Sequence, residues 1–349
     1  LQYKTIPAWV DKEQLLRGQK FFQRYSLAAS TSLFVSLVAG FSIPKIACVI
    51  QKTRYLCPPS TPEEVGIRML DTGAFLSACM GYDGVEYIMP GNVGWETILH
   101  VRILHAKVRR SILRRGDWDI QKLGIPINQE DMAATLLAFA INPIEGIKLM
   151  SGVVIDTQEQ EDYLALWRYI GWLIGVDTDD GRRTEFSLLG TNTMTTTHHH
   201  TTMRPLDPCG PGWISSKPDR IDHATCMLRS FILHLMHPDP LSVTISNHLL
   251  KFTIPQKIET KEKSSSTLKK TKEGASNFKI YVRALMIRFF VGDRLADQLQ
   301  LPLHPCWKQR LLCELVLYVF LWFGRIYTWV AIFSTAFGRR TIEKFHLNS

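Results

Sequence analysis

The sequence predicts an all-α protein. Three observations carry that expectation. Apolar residues recur at helical spacing in successive stretches, cap and breaker residues bound those stretches, and clear period-2 alternation is scarce. Residues 10–38 read as a helix that runs into "SLFVSLVAG". The apolar run continues to Ile50, but Pro44 and Lys45 interrupt it, so it reads as a core helix rather than a membrane span. Thr61-Pro62-Glu63-Glu64 opens the next helix with a capping hydroxyl and a proline where its missing N–H costs nothing. A helix over 95–115 follows, then one that starts at the Asn128 cap with acidic residues in its first turn. "DTQEQEDYLALWRYIGWLIGV" sets Leu164, Trp167, Ile170 and Ile174 roughly on one face.

Residues 178–220 are polar and rich in breakers, which predicts a long loop. A helix with Met227, Phe231, His234 and Leu235 comes next. The charged, low-complexity stretch 258–276 reads as a solvated linker, with another helix from Phe278. The C-terminal run carries a single charge, Arg325, between Glu314 and Gly338. It is long enough to cross a bilayer, for which about 20 residues suffice. Arg325 near the middle would cost roughly 2.5–3.5 kcal/mol there. An in-plane or re-entrant helix would let that arginine reach the headgroups, and Tyr318, Trp322, Phe323, Tyr327 and Trp329 suit an interface. A buried core helix is the plain alternative.

The chain has 349 residues, 46% of them hydrophobic, so a sizeable core is within reach and disorder is excluded. The formal net charge of +9 points to an anionic surface or ligand. No zinc-finger spacing, RNP motif or basic stripe supports nucleic acid. Seven cysteines without a CxxC argue against a disulfide framework and for a reducing compartment. No GxSxG, HExxH or P-loop motif is present. "HHH" at 198–200 sits among threonines, and His234 and His237 lack a carboxylate at metal-ligand spacing.

The 95–115 helix raises the sharpest question. At about 100° per residue, Ile98, Val101, Arg102, His105, Val108, Arg109 and Ile112 share one sector, while Lys107, Arg110 and Arg114 lie opposite. His105 therefore stands where an aliphatic residue is expected. A buried arginine needs anions or acceptors, and a histidine on an apolar stripe needs a partner for each ring nitrogen. A haem would meet both needs through its iron and its propionates. The plain reading is a core histidine bonded to a carbonyl, with the arginines snorkelling to the helix edges.

"RILHAKVR" fits the pattern Arg-x-x-His-x-x-x-Arg. With "GIRMLDTGAFL", "NPIEGIKLMSG" and "EDYLALWRYIGWLIGV" in the same order, the chain resembles the latex-clearing-protein (rubber oxygenase) superfamily, which includes the MpaB-type ER-bound oxygenases. The resemblance runs from about residue 20 to 178, with a weaker echo at 291–302. It implies a globin-like all-α core that holds a b-type haem. It implies that His105 is the axial iron ligand, that Arg102 and Arg109 are needed for the haem site, and that Arg68 and Thr72 lie near the cofactor or the distal pocket as candidate catalytic residues. Read from the residues alone, Arg68 is equally an ordinary ion-pairing residue and Thr72 a hydroxyl bonded within its own helix. Phe75, Trp167 and Tyr169 are candidate pocket aromatics but read more simply as core.

The implied reaction is cleavage of a carbon–carbon double bond in an apolar, isoprenoid-type chain by dioxygen, at a membrane that would be the endoplasmic reticulum. There are departures. Rubber-cleaving members carry a lysine just before the motif threonine, where this chain has Asp71, and their distal glutamate has no counterpart in "VIQKTRYLCPP". These favour the MpaB-like branch over polymer cleavage. They also keep a second expectation, a non-catalytic, membrane-associated helical protein of the same fold. The expected organisation is a helical haem-binding domain over 1–308, with loop insertions at about 178–220 and 256–276, and a hydrophobic membrane-associated segment over 309–349.

Overall fold

The structure, a computed structural model, describes residues 5–81, 84–176, 220–254, 266–303 and 306–346, and the side chains among them except 220, 266–276 and 335–346. The expected loop 178–219 and the "HHH" run within it lie outside the described residues. Every regular element described is helical, as expected.

α1 (Lys12–Arg24) and α2 (Ser26–Gly40) replace the single helix expected over 10–38. Tyr25 leaves helical geometry at φ −105° and ψ 21°, yet it still donates to Phe21 O at 3.2 Å and accepts from Ala29 at 2.9 Å. The join is thus a kink with an almost unbroken ladder, pinned by the buried Tyr25 ring against Phe21. Pro44 then starts α3 (Pro44–Thr53), and the chain turns by 93° between α2 and α3. α2 buries seven of its residues, which makes it the core helix expected.

α4 (Pro62–Met80) starts with the capping box of Thr61 and Glu64. A 3-10 turn (Val85–Ile88) leads to α5 (Val93–Arg115), and the short α6 (Ile120–Leu123) to α7 (Gln129–Ser151). Asn128 and Asp131 form a second capping box. Pro143 sits inside α7 and cannot donate to the carbonyl of Phe139. The Tyr163 hydroxyl from α8 (Thr157–Ile174) donates to that carbonyl at 3.2 Å, so the freed acceptor is satisfied from the neighbouring helix.

α8 is the centre of the larger core. Tyr163, Leu164, Leu166, Trp167, Tyr169, Ile170 and Leu173 are all buried, on more than one face of the helix. Trp167 and Tyr169 are therefore core residues, with Tyr169 donating to Ile88 O at 3.2 Å, and Phe75 packs at the core's edge. α1, α5, α7 and α9 (Arg220–Leu235) surround α8. A second core joins α2, α3, α10 (Pro240–Leu249), α11 (Ser266–Val291) and α12 (Asp293–Gln298).

α11 corrects one expectation, because it begins inside the stretch read as a linker. Residues 266–276 hold three lysines and no proline, and charge alone does not oppose a helix. α13 (Trp307–His346) lies last, against α7 and α11. Among the described residues, two helices are long and apolar enough to cross a membrane, α7 and the Trp307–Ser334 part of α13, and α2 with α3 passes only as a pair bent by 93°. Over half of the α7 window is buried in the core, against 17% of the α13 window.

Candidate functional site

α5 presents its stripe as the periodicity predicts. Ile98 and Ile112 are fully buried, and Val101, Arg102, His105, Val108 and Arg109 between them are half-buried. Lys107, Arg110 and Arg114 are exposed. The two ends of the stripe reach the core, and its middle does not.

Arg102 leans toward the end of α8. Its Nη1 donates to the Trp172 and Leu173 carbonyls, each at 3.4 Å. Those acceptors belong to the last turn of α8, where the helix dipole gives partial negative charge, and the Trp172 carbonyl also accepts from Gly175 N at 3.2 Å. Gly175 makes the approach possible. It caps α8 at φ +101°, and a Cβ there would lie 2.9 Å from Arg102 Cζ. Gln129 Nε2 donates to the Gly175 carbonyl at 3.0 Å, which ties α7 to the same corner. Arg109 leans the other way, its Nε donating to Pro126 O at 3.1 Å and its Nη2 donating to Ile127 O. Both arginines of the stripe thus bond to backbone carbonyls on neighbouring segments.

His105 lies between them and differs. Its Nδ1 is buried and has no hydrogen-bond partner among the described residues. Burial first, and the Arg109 charge second, push its pKa down to about 4. The ring is therefore neutral at physiological pH, which is the form that ligates a metal. The arginines match part of the plain reading, since they find carbonyls. The histidine does not, since no carbonyl meets its buried nitrogen. A buried, unpaired ring nitrogen fits a ligand that the polypeptide does not supply.

A protein-only metal centre is poorly served here, because no group of three His, Cys, Asp or Glu among the described residues could hold an ion. A porphyrin brings four donors of its own and asks the protein for an axial nitrogen. His105 fits that demand.

Arg68 and Thr72 sit half-buried on α4, which packs against α5. Their bonds do not run to α5. Thr72 Oγ1 donates to Arg68 O at 3.0 Å, within its own helix, and Arg68 Cζ stands 4.3 Å from the centre of the Tyr55 ring. Tyr55 was not singled out in the sequence. It belongs to the stretch "VIQKTRYLCPP" that lacks the expected glutamate, and burial raises its pKa while Arg68 opposes that shift. No spacing rule marks such a tyrosine. Asp71 is exposed. The His105 trio and the Arg68–Thr72–Tyr55 group are thus separate clusters on adjacent helices.

An apolar cavity of about 400 Å³ lies elsewhere, between α2, α7, α9 and α11, with Phe139, Phe231 and Phe290 among its walls. None of the five candidate residues lines it. His234 and His237 are exposed at the end of α9. All six described cysteines are unpaired.

Comparison with known proteins speaks to the fold and the family. A rubber oxygenase from Streptomyces sp. (strain K30) is 24% identical over 181 residues, which is 50% of this chain and 42% of that protein's length. The solved structure of latex clearing protein LCP in the closed state superposes with a TM-score of 0.58 at 16% identity, over 94% of this chain and 76% of the other. At that identity the likeness speaks for the fold. The family model described as ER-bound oxygenase mpaB/B'/rubber oxygenase, catalytic domain, matches residues 64–326, which include α4, α5 and α8. With that match across most of its length, the chain belongs to the ER-bound oxygenase mpaB/B'/rubber oxygenase catalytic-domain family.

Proposed function

We propose that this protein is a membrane-associated, haem-dependent oxygenase that cleaves a carbon–carbon double bond in an apolar isoprenoid chain. The buried, unpaired Nδ1 of His105 carries the reading. Haem b would supply the iron at which dioxygen is activated. The reaction balances without an outside reductant, since one dioxygen converts the two alkene carbons into two carbonyls.

The chain's own residues divide the work as follows. His105 would offer a neutral imidazole nitrogen to hold the iron. Arg102 and Arg109 hold α5 at both ends of the stripe and keep a positive field beside the site, suited to propionates. Arg68 and Thr72, with Tyr55 beside them, form the polar group of the adjacent helix, and their role is in orienting substrate or oxygen. Residues 1–308 form the oxygenase domain and 309–349 the segment that meets lipid, at the endoplasmic reticulum in keeping with the family's description.

The test is oxygen uptake by detergent-purified, haem-loaded protein with a prenylated substrate, followed by detection of carbonyl products. Uptake that disappears in His105→Ala supports the reading. Correctly folded protein that takes up no haem overturns it. Asp71, exposed where rubber-cleaving relatives carry lysine, favours a second reading, a haem-binding protein without oxygenase activity. Haem binding with no oxygen uptake on any prenylated substrate would select it.

A further inference from the structure

α13 carries the largest uncovered apolar surface in the described structure, and its chemistry is not arranged evenly. Four residues form a seam against the domain: Cys313, Leu317, Gly324 and Thr328 are buried. At about 100° per residue they fall within roughly 60° of arc. At Gly324 the helix comes so close that an added Cβ would meet Met150 Cε at 3.2 Å. The opposite arc holds Leu315, Val319, Ile326, Val330 and Phe333, all exposed. Between seam and opposite arc lie Tyr318, Arg325 and Trp329 on one flank and Tyr327 and Ser334 on the other. Groups that prefer the boundary between water and hydrocarbon thus line one long edge of the helix, and Tyr327 marks the other.

A helix that crosses a bilayer sorts such groups differently, with tyrosine and tryptophan at its two ends. Here Tyr318, Trp322, Arg325 and Tyr327 occupy the middle of the apolar stretch. The domain is also in the way. Arg325 Nε donates to Met150 O at 3.0 Å, and Tyr327 Oη lies 3.4 Å from Ser26 Oγ. Two residues before Met150 is Lys148, paired with the exposed Glu145 at 3.0 Å. Two residues before Ser26 is Arg24, paired with Glu159. A crossing α13 would carry these four charges into the middle of the bilayer, where each is costly.

We infer that α13 lies in the plane of the membrane, inserted into one leaflet of an anionic bilayer, with the domain resting on it from the same side. The inference rests on the membrane reading proposed above and deepens it. The occupant of the apolar face is lipid. Exposed Lys308 and Arg310 stand at the start of the helix, and Arg339, Arg340 and Lys344 follow the apolar stretch in sequence. An in-plane helix places both basic groups among the headgroups of one leaflet, in accord with the net charge of +9.

The geometry is tested by labelling both ends of α13. The full chain is translated with sealed microsomes, in a background where Cys209 and Cys226 are serine. The native Cys306, exposed just ahead of α13, reports one end, and Ser349→Cys reports the other. After flotation, a membrane-impermeant maleimide is added. The inference expects both thiols to react fully without detergent. Protection of one end until detergent is added overturns the in-plane arrangement and leaves membrane association standing. A chain that does not float, including one that runs as a soluble dimer with α13 covered by a second copy, overturns the membrane reading itself.

Discussion

α5 and α13 are both helices with an apolar face and arginines that turn to backbone carbonyls, and they differ in what they leave uncovered. On α5 the arginines reach the carbonyls of Trp172, Leu173, Pro126 and Ile127. On α13, Arg325 reaches the carbonyl of Met150, at the end of α7. In both helices the charge is answered by backbone acceptors, three of them (Trp172, Leu173 and Met150) at helix ends where the dipole helps. What remains on α5 is a polar atom without a partner inside the protein. What remains on α13 is apolar surface without a partner outside it. The first calls for a ligand and the second for a lipid.

The comparison breaks most sharply at His105. His105→Ala should reduce haem retention to the level of non-specific binding, as read by the Soret absorption after gel filtration, with helical content unchanged. Full retention would mean that the unpaired nitrogen has no ligand. Next in size is the lipid side. Leu315→Asp with Val319→Asp should weaken flotation with anionic vesicles by well over tenfold, since a charge at a lipid-facing position costs about 2.5–3.5 kcal/mol at full depth. The same pair should leave haem retention intact, which separates the two regions.

The clamps come third. Arg109→Ala removes charged hydrogen bonds worth about 1.5–3 kcal/mol each and should lower the denaturation midpoint of the apoprotein measurably. Arg109→Lys should restore only part of that, because lysine cannot reproduce the fork. A pH effect follows from the depressed pKa of His105. Between about 6.5 and about 4 the unfolded chain holds a proton that the folded chain lacks, so stability falls as pH falls through that window. The loss is at most about 3 kcal/mol, and His105→Leu should flatten it in apoprotein denaturation curves. The smallest effect is expected at Thr72→Val. Its hydroxyl donates within its own helix and shares a hydrogen bond with Tyr55, so stability should change by only about 1 kcal/mol. An altered oxygen uptake in that variant would then report a role toward substrate.

The two helices also differ in how far the sequence discloses them. The α5 stripe was readable because one periodicity places Ile98, His105 and Ile112 in the same sector, and burial of the two isoleucines follows. The unpaired Nδ1 was not readable, because it depends on which carbonyls stand opposite, and those come from α8 and the segment before α7. The partners of the arginines were hidden for the same reason. The capping boxes at Thr61 and Asn128 lie within a few residues and were plain. The start of α11 is hidden because its charge and low complexity resemble a linker, although a stretch with three lysines and no proline is open to a helix. Tyr55 carries no local signal, and only the path of the chain after α3 brings its ring under Arg68 on α4. On α13 the composition disclosed the apolar surface, but its division into seam, flanks and lipid face required the position of α7.

The claim that His105 holds the cofactor is tested most directly by chemical rescue. Haem is titrated into wild-type protein and into His105→Gly, with and without free imidazole, and the visible spectrum is recorded. The account predicts a sharp histidine-type Soret band in the wild type, its loss in His105→Gly, and its return when imidazole fills the space left by the side chain. An unchanged spectrum in His105→Gly would contradict it.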